Sequence, residues 1–242
     1  MGSETGSSWW VAWNGDVRRF LETGRGGKAS VLSREVCELL DDVDAAFAVA
    51  GAHTPQWPDP QQDGPAPGED AYERVTDPDK FLIVVARARA WAEVLLGRGW
   101  AREAPSVEWA LRPFESGGAD TVLAPVADGA VPLVLTTHTP VDSNHIYTVT
   151  VAAGDPAVRL AEVPDCGCDG CDRGSAELLR DMDQWVLSIV GGSLEVDLTL
   201  KGCSVRTSFG GEGGTVQHVV QPAALTAASW SADWTPRFVP EY

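Results

Sequence analysis

The sequence predicts an α+β protein in which a mainly antiparallel sheet is flanked by helices, with an N-terminal helical region and a Pro-rich loop ahead of it. Two observations carry this. Apolar residues recur at helical spacing in four segments, and between the third and fourth the apolar period drops to two with short, turn-bearing connections. Strands joined that way pair antiparallel, because a parallel pair needs a long crossover. At 242 residues and 44% hydrophobic the chain has material for a sizeable core.

The elements follow in order. In "SSWWVAWNGDVRRFLETG", Trp10, Trp13, Val17, Phe20 and Leu21 fall at helical spacing, although Gly15 costs about 1 kcal/mol relative to alanine. A second helix starts at the N-cap residue Ser33. It carries Val36, Leu39, Leu40, Val43, Phe47 and Ala50 on one stripe and stops at Gly51, read as a left-handed C-terminal residue. Residues 53–70 contain five prolines, which remove backbone donors and exclude helix or central strand. A third helix follows "VTDPDKF", with Asp77 as N-cap, Pro78 at the first position and a stripe of Phe81, Val84, Val85, Ala88, Trp91, Ala92 and Leu95.

Beyond Gly99 the period changes. Val107, Trp109 and Leu111 alternate with polar residues, Asp128 and Gly129 give a hairpin signal, and strands continue as "VPLVLTTHT", "HIYTVTVAA" and "AVRLAEV". Ser175 is expected to cap a fourth helix with a stripe of Leu178, Leu179, Met182, Trp185, Val186 and Ile189, closing at Gly191 and Gly192. "SLEVDLTLKG" then alternates as a strand with one wet face, and two more strands, near 203–209 and 215–220, complete a meander through "GGEGG". The expected organisation is an N-terminal helical segment (1–52), a Pro-rich linker or loop (53–71), an α+β core (72–222) and an aromatic C-terminal tail (223–242) packed on the core.

Charge narrows the partners. Eighteen basic against 35 acidic residues give a net charge of −17, which repels polyphosphates and anionic membranes. Nucleic acid and membrane are therefore not expected as partners. The most apolar run, "FLIVVA", stops at Arg87, far short of a membrane span. The N-terminus lacks the order of a signal peptide, so a cytoplasmic location is expected. Five cysteines, three of them crowded together, then favour thiols or metal ligation over disulfides.

The crowded three are Cys166, Cys168 and Cys171 in "DCGCDGCDRGS", where Gly167 and Gly170 permit the tight turns that convergence on one ion requires. Soft thiolate ligands at a strand-to-helix junction make zinc the candidate cofactor, with Cys203, a neighbouring aspartate or a histidine as the fourth ligand. The alternative is a structural turn with reduced cysteines. Asp165, Asp169 and Asp172 are expected to raise the thiol pKa values and so to oppose redox or nucleophilic work. A second candidate is the loop "HTPVDSNH", in which His138, Asp142 and His145 can bind a divalent metal or supply a base. Trp57, Trp230 and Trp234 lie off the periodic stripes and are candidate protein-contact anchors. "TGRGGKAS" misses the phosphate-loop pattern at Glu22 and Ala29, and no nucleophile elbow or paired-histidine zinc motif occurs.

"YERVTDPDKF" at 72–81 and "CGCDGCDRGSAELLRDMDQWVLSIVGG" at 166–192 resemble an uncharacterised actinobacterial domain-of-unknown-function family with a CGCDxCD element before a helix. The resemblance spans roughly 72–220, singles out the cysteine loop, and implies no activity or cofactor. The leading expectation is therefore a soluble, non-catalytic protein acting through a protein partner, with the cysteine loop as a structural element holding zinc. A metal- or thiol-dependent enzyme using the cysteine loop and the histidine hairpin is the first alternative. An acidic immunity or inhibitor protein is the second.

Overall fold

A computed structural model describes residues 8–23, 30–62, 64, 66–142, 145–231 and 234. Pro236, Phe238 and most of "TGRGGKAS" lie outside the described residues. Among the described residues the element pattern is α+β, as expected: four α-helices and two sheets, one of six strands in the order β1-β3-β4-β5-β6-β2 and one of four in the order β10-β7-β8-β9. Every pairing is antiparallel except the short one between β2 and β6.

Helix α1 (Trp9–Glu22) buries Trp10, Asn14 and Val17, whereas Phe20 and Leu21 are exposed, contrary to the expected stripe. Asn14 sets the rotation: its carboxamide accepts from the Leu32 amide at 2.6 Å and donates to the Leu32 carbonyl at 3.1 Å, facing that side of the helix inward. Ser33 caps α2 (Arg34–Ala50) by accepting from the Val36 amide at 3.3 Å, and Val36 through Phe47 form the buried stripe, with Ala50 exposed. Gly51 ends this helix at φ −99°, outside the left-handed region; there a Cβ would lie 2.7 Å from the Phe47 ring, so bulk is what the position excludes. Asp77 makes no side-chain cap. Pro78–Phe81 forms a 3-10 turn that runs into α3 (Leu82–Gly97).

The large sheet contains β1 (Ala101–Ala104), β2 (Trp109–Leu111), β3 (Ala119–Pro125), β4 (Leu133–His138), β5 (Thr148–Gly154) and β6 (Ala157–Val163). The expected turn at Asp128 and Gly129 joins β3 to β4, with Gly129 at φ +74°. Alternation divides the strands as the pleat requires. Leu133, Leu135, Val149 and Val151 face the main core with α3, and Val122, Val134 and Ala152 form a smaller cluster with Trp109. Helix α3 packs on α2, on α4 (Ser175–Val190) and on the sheet, which buries it almost all round.

The second sheet holds β7 (Glu195–Leu198), β8 (Cys203–Arg206), β9 (Gly211–Gly214) and β10 (Ala223–Thr226). Leu194, Val196 and Leu198 turn inward as expected, but Leu200 is exposed because β7 ends at Leu198. The third strand is not 215–220. It is the glycine-rich stretch itself, because Thr207 closes a tight turn onto Gly210 (amide 2.7 Å) and brings residues 211–214 back against β8. The tail also opens with an unexpected strand, β10, paired to β7. Among the described residues no helix is long and apolar enough to cross a membrane.

Candidate metal centre

The chain leaves β6 at Val163 and enters α4 at Ser175, and the cysteine loop is the connection. Within it the sulfur atoms of Cys166, Cys168 and Cys171 all lie within 4.8 Å of one another, with Cys166 and Cys168 3.2 Å apart. Cys168 is buried, and Cys166 and Cys171 reach the surface. The turn needs its glycines for close approach. A Cβ at Gly167 would meet Ile146 at 2.4 Å, and one at Gly170 would meet the Tyr72 ring at 2.7 Å.

Asp169 and Asp172 serve a different purpose from the one expected. Asp169 accepts from Arg74 Nε at 2.7 Å, from the Thr76 amide at 2.9 Å and from the Thr76 hydroxyl at 2.5 Å. Although desolvation acts upward, these donors hold its carboxyl down at about 2. Asp172 accepts from Lys80 Nζ at 2.7 Å, from the Trp57 indole at 2.8 Å and from the Gly174 amide at 2.8 Å, and its carboxyl is lowered likewise against desolvation. Both acids are engaged in fastening the loop, and neither belongs to the group of ligand atoms that converge. Main-chain bonds add to the anchorage: the Asp169 amide donates to the Arg74 carbonyl (2.8 Å) and the Gly170 amide to the Ala71 carbonyl (2.9 Å). The stretch around "YERVTDPDK" is thus the seat of the cysteine loop.

The thiols respond to their immediate donors more than to the acids. Desolvation acts to raise Cys168, yet hydrogen bonds from Cys166, Cys171 and the amides of Cys171 and Gly170 leave it below the ordinary thiol value. Hydrogen bonding with Cys168 and Cys166, followed by burial, pushes Cys171 up to about 12. The hydrogen bonds within the loop thus converge on the Cys168 sulfur. These three residues are the group that can hold a metal ion among the described residues.

Cys203 is not part of that group, correcting its expected place as fourth ligand. It sits half-buried on β8, where burial raises its thiol pKa. The histidine loop does not assemble either. His138 is buried on β4 with Nε2 3.3 Å from the Thr150 hydroxyl, while exposed His145 pairs with Asp142 at 2.7 Å, an interaction that raises its pKa. The tryptophans separate as well. Trp57 is half-buried and fastened to α4, its amide donating to the Ser175 hydroxyl and its carbonyl accepting from the Ser175 amide, both at 3.1 Å. Ser175 thus ties down the Pro-rich segment instead of capping its helix. Trp230, expected to contact a partner, is 2% exposed and donates its indole N–H to the Val131 carbonyl at 3.2 Å, so it belongs to the core. Trp234 stacks edge-on against Trp100 with centroids 5.1 Å apart.

One constellation escaped the sequence reading. Asp183 on α4, with no exposed surface, accepts from Arg87 Nε (2.8 Å) and Nη2 (2.7 Å), from the Trp91 indole (2.7 Å) and from the Trp9 indole (2.9 Å). Arg87 also donates to Asp44 on α2 at 2.6 Å. Burial acts to lower the Arg87 pKa, but the two carboxylates outweigh it and the guanidinium stays firmly charged. The signal was present, because Arg87 shares the helical face of Val84, Ala88 and Trp91, where a charge needs a buried partner.

No curated protein and no solved structure matches the chain. A family model matches residues 43–237, which takes in the seat, the cysteine loop, α4 and the second sheet. The chain belongs to that family, DUF6226, a family of unknown function.

Proposed function

We propose that the protein is a non-catalytic protein-interaction protein of the cytoplasm whose cysteine loop is stapled by one zinc ion. The carrying observation is the convergence of three sulfurs within 4.8 Å on a loop whose acids Asp169 and Asp172 are already engaged. Thiolates at about 2.3 Å from zinc in a tetrahedron sit about 3.8 Å apart, a spacing this loop reaches by small side-chain rotations. Zinc would supply no chemistry beyond fixing the β6-to-α4 junction, with the fourth position on the solvent side near Cys166 and Cys171. A structural role is favoured because the neighbouring Lys80, Arg74 and Thr76 are engaged in ion pairs and hydrogen bonds with Asp172 and Asp169.

Elemental analysis of protein purified without a nickel column tests this. About one zinc per chain is expected, and less than about 0.2 equivalents of any transition metal overturns it. Cys168→Ser should lose the metal and lower the melting temperature, and a chelator should lower it to the same value in the unmutated protein.

A further inference from the structure

A cleft of about 740 Å³ lies between β6, α4 and the β8–β9 hairpin. Two of its walls are strand edges. β9 is the outer strand of its sheet and all four of its residues are exposed. β6 pairs with β5 along one side, but on the other β2 reaches only Ala157 and Val158. Among the described residues no further backbone hydrogen bond meets residues 161–163 or the outer edge of β9. Open edges facing a common slot are a template for an added strand. The glycines of β9 leave its backbone unscreened by side chains.

The slot also selects by charge. Its lining carries Glu162, Asp165, Asp181 and Glu212 against Arg159 and Arg173, a net acidic surface on which Glu162 of β6 and Asp181 of α4 are half-buried. Burial is the largest influence on both carboxyls and raises their pKa, against the lowering pull of Thr148, His138 and Arg159 on Glu162 and of Arg180 and Arg173 on Asp181. Trp185 lines the same wall, while the Arg159 guanidinium is held over the Phe114 ring, 3.2 Å from its centroid.

We propose that this cleft binds an extended, lysine- or arginine-bearing segment of a protein partner, added as a strand to the open edge of β9 with its cation against Glu162 and Asp181 beside Trp185. The net charge of −17 steers such a segment toward the protein. The proposal rests on the protein-interaction reading and is independent of the zinc.

The test is fluorescence anisotropy with a labelled peptide of about eight residues alternating valine and lysine, a glutamate counterpart, and two lysine peptides N-methylated on opposite alternate sets of amides. The lysine peptide should bind saturably and the glutamate peptide should not. One N-methylated set should lose binding and the other retain it, because an edge strand bonds only alternate residues. The Glu162→Gln/Asp181→Asn variant should bind about tenfold more weakly. No saturable binding, equal binding of the glutamate peptide, or indifference to both N-methyl patterns overturns the proposal. The N-methyl comparison uses unmutated protein, so it decides even where the double variant melts. Zinc content of the same sample reports the staple separately, and a partner cross-linked elsewhere on the surface rejects the cleft while sparing the wider reading.

Discussion

Asp183 receives four hydrogen bonds from three side chains on α1 and α3, and Arg87 carries the link on to α2. An ion pair at this depth gains little over a well-packed apolar pair, but either partner alone is costly. Asp183→Asn leaves the Arg87 guanidinium buried with only Asp44 to balance it. Loss of about 3–5 kcal/mol is expected in denaturant unfolding, and the double variant Arg87→Met/Asp183→Leu should lose clearly less. Equal losses would mean that the pair acts through shape and not charge. Asp169 and Asp172 differ from Asp183 in serving a loop, yet each of these three carboxylates is matched by donors from a distant segment.

Glycines separate two kinds of constraint at the level of elements. Gly192 closes α4 at φ +70°, and a Cβ there would lie 2.4 Å from the Ser229 amide nitrogen. Gly192→Ala is therefore expected to cost about 1–3 kcal/mol, since backbone on both sides would have to move. Gly15 lies inside α1 with nothing within 4 Å of its would-be Cβ, so Gly15→Ala should gain about 0.5–1 kcal/mol. Thermal melts of the two variants should shift in opposite directions, and a loss at Gly15 would refute the helix assignment there. The same elements mark what could be read in advance. α2 and α4 were legible because a helical stripe of apolar residues faces the core, and β4 to β6 because runs of apolar and β-branched residues lie between turn signals, even though β5 is buried at every position. β9 was not, because "GEGG" has almost no side chains to carry a period; it exists through the Thr207 turn and the open side of β8. The cysteine cluster was legible from spacing alone. Its seat was not, since the bond from Arg74 to Asp169 joins residues 95 positions apart and no local pattern records that meeting.

For the molecule as a whole, −17 elementary charges on 242 residues repel one another more in the compact state than in the expanded one. Raising ionic strength from about 0.01 M to about 0.15 M shortens the screening length from about 30 Å to about 8 Å. The melting temperature should rise by a few degrees over that range, and a fall would place stabilising ion pairs above the net charge in importance. The seat of the cysteine loop belongs to this scale too. Residues 71–76 and 169–170 are bonded to each other, and between them in the chain lie α3 and the entire large sheet. The loop is thereby a latch across the middle of the polypeptide: during synthesis it can engage only after every strand of that sheet has been made.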